Sequence, residues 1–351
     1  MKQLATAILL LLITLCLSCQ TTNPDPVMYD FSSIDDFIEE NASVYANHLA
    51  VLVSQNGKLI YKKEHNLTTI DARAIASASK WLSGGVIMSL VDEGKLSLND
   101  TVGKYLPIFT KYRKGNISIR QLFSHTSGFP GDSPEGYEYS TSLTLAQAVD
   151  SLAVHTAKIH PPGTVFNYGS IGMHIAGRIA EIVSGKSWQT LFNEKIATPC
   201  NLTVTYLSLR NPIIAGGGYT TAEDYLHFLE MIANKGIYQT KRVLSENAVA
   251  EMMKDQTNNA IIEGTPYPAN PYSTYKNTGI RYGIGNWLDV VDTNNIVLET
   301  SSPGLFGTHP WQDSKNKIAG IIFTKTDPKL SNAISLQIRE KIRDIVEKKT
   351  N

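Results

Sequence analysis

Ser77 and Lys80 stand three residues apart where a short extended run gives way to an apolar-periodic segment through Trp81, Leu82, Val86, Ile87, Leu90 and Val91. That spacing is one buried helix face, so Ser77 is placed at a helix N-terminus. Residues three apart share a face, which sets the lysine ammonium beside the serine hydroxyl at the positive end of the helix dipole. Such a pair can activate a serine for nucleophilic attack. The same spacing recurs at Ser273 to Lys276 and Ser314 to Lys317, and neither of those opens a helical pattern. Spacing alone therefore does not separate a nucleophile from a capping serine.

The elements that must position this pair follow in chain order. Ile34 to Ser43 reads as a short amphipathic helix, and Leu49 to Ser54 and Leu59 to Lys63 are extended runs around the hairpin turn Asn56-Gly57. The serine helix runs from Ser77 to a glycine stop near Gly94. From about Ile117 to Leu244 the chain reads as mostly helical, with segments at Ile119 to Ser124, Thr144 to Leu152, Ile171 to Ser184, Trp188 to Ile196, Thr221 to Asn234 and Ser245 to Met253. Their Pro- and Gly-rich connections, such as Ser127 to Gly136 and His160 to Thr164, are the kind of loop that carries function. Extended character returns at Tyr282 to Val291, Ile296 to Glu299, Gly307 to Gln312 and Ile318 to Thr324, and a last helix spans roughly Asn332 to Val346. The expected fold class is α/β of the α+β type: an antiparallel sheet flanked by N- and C-terminal helices, with a large helical lobe inserted.

The 351 residues carry 32 basic and 32 acidic side chains, so no overall field favours nucleic acid or an anionic membrane surface. The N-terminus differs in kind. Met1-Lys2-Gln3 leads into an apolar stretch from Leu4 to Leu17, too short to span a bilayer comfortably and laid out like a secretory signal. Ser18 before Cys19, with a polar stretch after it, resembles a bacterial lipoprotein cleavage site. The expectation is a lipoprotein-type signal over residues 1–19 with Cys19 lipidated, a linker over 20–30, and a single catalytic domain over 31–349. Its sheet lobe would comprise about 31–110 and 275–349, and its helical lobe about 111–274. Export to the periplasm or outer membrane of a Gram-negative bacterium follows, with Gln20 resembling the outer-membrane sorting pattern and the lipid as the membrane contact; plain secretion or a retained anchor is the alternative. Cys200 alone remains outside that segment, which leaves no disulfide framework and marks it as a buried small residue. No ligand spacing for a metal is visible, and no cofactor is expected.

Separated segments then agree. Ile75-Ala-Ser-Ala-Ser-Lys80, Gln121-Leu-Phe-Ser-His-Thr-Ser-Gly-Phe129, the run from Pro162 through Tyr168 to Met173, Ala215 to Tyr225, Tyr282 to Trp287, and Ser302 to Trp311 together resemble the serine β-lactamase and penicillin-binding-protein superfamily, in its class C-like, esterase-containing branch. The resemblance implies Ser77 as nucleophile, Lys80 as its neighbouring cation or base, and Tyr168 as the base that receives the serine proton. It implies an oxyanion hole from the backbone amides of Ser77 and Leu305, and a substrate-binding border at Ser170, Ser302 and Gly304. A nearby ammonium would favour the Tyr168 phenolate. His125 reads as structural, since no acid-histidine-serine arrangement is needed.

Two departures qualify the substrate. Ser170 stands where the resembling motif has asparagine, and Ser302-Pro303-Gly304 replaces a motif that starts with lysine or histidine. Loss of the amide weakens recognition of the acylamide group of β-lactams, and loss of the cation removes a partner for their carboxylate. The implied activity is an acyl-enzyme serine hydrolase acting on small-molecule esters or similar uncharged acyl substrates, a probable carboxylesterase. The alternatives are a DD-peptidase, D-amino-acid amidase or β-lactamase, and a weakly active penicillin-binding-like sensor or scaffold.

Overall fold

A computed structural model describes residues 29–266 and 279–350. After helix α1 (Ser32–Asn41) come strands β1 (Leu49–Gln55) and β2 (Lys58–His65), joined at Asn56-Gly57, where both residues hold positive φ. Helix α2 (Ser79–Asp92) follows. The helical region then includes α3 (Ile171–Ser184) and α4 (Ala222–Ala233), and the chain returns through β3 (Trp287–Val291), β4 (Val297–Ser301), β5 (His309–Asp313) and β6 (Ile318–Thr324) before α5 (Pro328–Thr350). The six strands form one antiparallel sheet in the order β3-β4-β5-β6-β1-β2. The chain's two ends thus meet in mid-sheet, where Leu49 pairs with Thr324.

Strand alternation explains why both sheet faces are covered. Leu49, Val51 and Val53 turn toward a cluster with Ile34 and Ile38 of α1 and Ile338, Ile342 and Val346 of α5. Ala50 and Leu52, with Ile321 and Phe323 of β6, face the core shared with α2, α3 and α4. Helix α2 is buried almost throughout, from Ser79 to Leu90, so its apolar residues serve neighbours on all sides. The helix Leu145–His155 starts on a Thr144 and Gln147 capping box, which satisfies its first amides.

Several expectations shift. The helix expected to start at Ser77 begins at Ser79, after a separate one-turn 3₁₀ segment Ala76–Ala78 that holds Ser77. The last helix begins at Pro328 rather than Asn332, because proline suits a first helical position. Short strands also occur outside the main sheet: Val165–Asn167 runs parallel to Ile261–Gly264 in the helical lobe, and Arg73–Ala74, from the segment before α2, and Thr205–Tyr206 flank Gly218–Thr220. Such strands of two to four residues are too brief for periodicity to register.

Candidate active site

Ser77 is held by contacts on its neighbours. Ala76 adopts φ 45°, a left-handed conformation that costs a non-glycine residue energy and is stabilised here by the surrounding bonds. Ser79 Oγ donates to the Ala76 carbonyl at 2.7 Å and accepts from Gly218 N–H at 2.9 Å. The Tyr225 hydroxyl donates to the Ala78 carbonyl at 2.7 Å. Gly304 presses on the same turn: a Cβ there would lie 2.1 Å from the Ile75 carbonyl oxygen, so only glycine lets the Ser302–Leu305 segment approach.

Lys80 is 2% exposed. Its Nζ donates to Ser77 Oγ at 3.2 Å and to the Ala215 carbonyl at 3.0 Å, and lies 4.7 Å from the Tyr168 ring centroid. Burial with neutral acceptors disfavours the ammonium and pulls the lysine pKa down to about 7, although the charge of Asp132 opposes the shift. At neutral pH the side chain is therefore shared between ammonium and free amine, a form that can accept the Ser77 proton.

Tyr168 follows the strand Val165–Asn167, and its N–H donates to the Gly264 carbonyl at 2.6 Å. Its ring stacks on Trp287, at 5.1 Å between centroids, and packs at 4.6 Å on His125. His125 Nδ1 accepts from Gly169 N–H at 3.4 Å, and the His125 carbonyl accepts from Asn167 N–H at 2.8 Å. Burial, together with the Lys80 charge, keeps the imidazole well below its ordinary pKa and hence neutral. This buried histidine braces the tyrosine loop, in keeping with a structural role.

Ser77, Lys80, Tyr168, Ser170, Gly304 and Leu305 all line one cavity of about 730 Å3. Ser302 does not. It is 1% exposed, and its hydroxyl donates to the carbonyls of Ser77 at 3.3 Å and Gly285 at 3.2 Å. The expectation of a substrate contact at Ser302 is thus corrected: its side chain braces the nucleophile turn from behind. The Ser302–Leu305 segment belongs to the link from β4 to β5. Ser170 Oγ shares a hydrogen bond with the Tyr139 hydroxyl at 2.8 Å.

Further cavity residues carry no motif. Asp132 and Tyr139 come from the loop after Phe129, a loop whose position in the chain marks it as pocket-shaping without singling out either residue. Lys329, Asn332, Ala333 and Leu336 come from the first turns of α5, and Lys329 lies before the expected start of that helix. Cys200 is fully buried, and burial pushes its thiol up to about 12, which leaves it inert. Cys19 and the signal-like segment lie outside the described residues.

The family model for β-lactamase matches residues 42–341. A candidate β-lactamase from Bacteroides dorei is 31% identical, with a TM-score of 0.76 over 89% of this chain and 99% of that one. A family VIII carboxylesterase shares the fold at 17% identity, with a TM-score of 0.66 over 85% of this chain and 92% of that one. Protein flp of Staphylococcus aureus (strain NCTC 8325 / PS 47) is 27% identical over 193 residues, which are 51% of this chain and 38% of that protein, so the chain spans about two fifths of this curated relative. With a serine, a buried lysine and a tyrosine gathered on one cavity, the chain belongs to the β-lactamase family of serine hydrolases.

Proposed function

We propose that the protein is an exported serine hydrolase that forms an acyl-enzyme on Ser77 and acts on esters in preference to β-lactams. The observation that carries this is the Lys80 Nζ to Ser77 Oγ hydrogen bond of 3.2 Å inside a cavity that also holds Tyr168. As Ser77 Oγ bonds to the ester carbonyl carbon, its proton passes to the Lys80 amine or to Tyr168, and the carbonyl oxygen becomes an oxyanion. The Ser77 and Leu305 amides are the donors proposed for that oxyanion, each worth about 3 to 4 kcal/mol. Collapse breaks the bond to the alcohol, which leaves with the proton. Water then repeats the sequence on the acyl-enzyme and releases the acid.

Ser302 and Ser170, in place of a cation and an amide, support the ester preference. A carboxylate-bearing peptide or β-lactam is the second reading, favoured by Lys329, which lines the cavity from α5 and could supply a cation from another element. Turnover of p-nitrophenyl butyrate beside nitrocefin and a D-alanyl-D-alanine peptide separates them. Ester hydrolysis that disappears in Ser77→Ala, with nitrocefin slow, is the expected result; efficient nitrocefin or peptide cleavage with inert esters overturns the ester assignment. Lipidation at Cys19 would place the enzyme on the periplasmic or outer membrane, and palmitate incorporation that survives Cys19→Ala would refute it.

A further inference from the structure

We propose that Asp132 makes the cleft selective for substrates bearing a positively charged nitrogen beside the reacting carbonyl; the inference rests on the serine-hydrolase reading above. The loop carrying Asp132 is fixed to the catalytic segment. Gly131 O accepts from Ser170 N–H at 3.1 Å and Ile171 N–H at 3.0 Å. A Cβ on Gly169 would lie 2.2 Å from the Gly131 carbonyl carbon, and one on Gly131 would lie 2.6 Å from the Tyr168 carbonyl oxygen. Two glycines thus let the two backbones touch, and Asp132 cannot shift without moving Tyr168 and Ser170.

The Asp132 carboxylate is only half engaged. Oδ1 accepts from Ser170 N–H at 2.7 Å and from the Tyr139 hydroxyl at 3.1 Å. Oδ2 takes no hydrogen bond, and the residue forms no ion pair, among the described residues, although it is exposed and lines the cavity with Ser77. An ionised carboxylate only accepts, so the partner that completes it is a donor, and a cation is the strongest.

The other charges in the cavity leave that place open. Lys80 spends its hydrogen bonds on Ser77 and Ala215. Lys329 and Asp327 belong to the start of α5 in the other lobe. Glu138 is buried behind the loop, where Ser133 donates to it from both N–H and hydroxyl. A fixed carboxylate near the nucleophile attracts a substrate cation and repels a substrate carboxylate. The ester preference thereby narrows to esters that carry a positive charge and no negative one, which revises the expectation of uncharged substrates.

Two isosteric pairs test this, each differing by one charged nitrogen. Alanine methyl ester against methyl isobutyrate puts the cation on the acyl side, and acetylthiocholine against S-(3,3-dimethylbutyl) thioacetate puts it on the leaving group. The kcat/KM ratio within each pair is measured for wild type and Asp132→Asn, at a pH where the amine is protonated. At least one pair should favour the cation by about fivefold or more at low salt, less at high salt. The ratio should fall to about one in Asp132→Asn and invert in Asp132→Lys, and the pair that responds identifies the side. Because it is a ratio, activity lost equally on both substrates cancels. Ratios within twofold in wild type for both pairs, or a preference that survives in Asp132→Asn, overturn the proposal while leaving ester turnover intact. Failure of all four esters, together with no phosphonylation of Ser77, overturns the hydrolase reading and this inference with it.

Discussion

Two buried cations, Lys80 at 2% exposure and Arg339 at 3%, meet burial in opposite ways. Arg339 of α5 reaches Asp289 on β3 at 2.9 Å and Glu299 on β4 at 2.7 Å, and Arg343 joins it on Glu299. Burial works against the Arg339 charge, but the two carboxylates outweigh it and leave the pKa raised. A guanidinium cannot release a proton in a protein, so this charge is permanent and clamps the last helix to the sheet. Among the described residues, Lys80 Nζ is held by a hydroxyl, a carbonyl and a ring face, and its charge is conditional. Burial is outweighed by carboxylate partners in one region and lowers a lysine pKa in the other.

Removing the conditional charge should have the largest effect on chemistry. Lys80→Met is expected to lower kcat/KM for p-nitrophenyl butyrate by about 10³-fold or more, with unfolding free energy unchanged or raised, since a buried amine is replaced by an apolar chain. Lys80→Arg should not rescue, because arginine cannot act as a base. Wild-type activity in Lys80→Arg would place the role in charge alone. Tyr168→Phe is expected to lose about 10²-fold or more while remaining folded, and full activity there would remove the phenol from the mechanism.

Breaking the permanent charge should do the reverse. Arg339→Met removes the guanidinium that faces buried Asp289 and leaves Glu299 to Arg343 alone, and is expected to cost about 3 to 5 kcal/mol in urea unfolding, with kcat/KM per folded molecule little changed. A stability change below about 1 kcal/mol would show the cluster to be replaceable by packing.

Titration gives a smaller and graded effect. Lys80 must lose its proton to act as base, so kcat/KM should rise with pH through about 7 and fall about tenfold per unit below it. The unfolded chain binds the Lys80 proton up to its ordinary value near 10.5, the folded chain only to about 7. Between those values the unfolded state holds more protons, so stability rises with pH relative to Lys80→Met. The smallest change is expected from Asp132→Asn: loss of a charge that favours the ammonium should move the acid limb downward. An upward move would contradict that electrostatic coupling.

The conditional cation was legible in the sequence and the permanent one was not. Ser77 and Lys80 meet because the 3₁₀ turn Ala76–Ala78 runs directly into the strongly apolar helix α2, and local spacing suffices to place them. The hairpin at Asn56-Gly57 and strand Ile318–Thr324 were legible for the same reason, being local in turn chemistry or composition. Arg339 lies 40 or more residues from Asp289 and Glu299 and meets them only when β3, β4 and α5 pack, so no spacing announces the cluster. Asp132 likewise gains meaning only from the contact of Gly131 with Gly169. Ser302 was misread because its type fits a substrate contact, whereas its direction, toward the carbonyls of Ser77 and Gly285, is set by tertiary packing.

The central claim is that Lys80 makes Ser77 an acyl-accepting nucleophile, and a fluorophosphonate probe followed by intact mass and peptide mapping tests it most directly. The expected result is one adduct on the peptide containing Ser77, absent in Ser77→Ala and formed much more slowly in Lys80→Met. No adduct on the wild-type protein, or an unchanged adduct in Ser77→Ala, would contradict it.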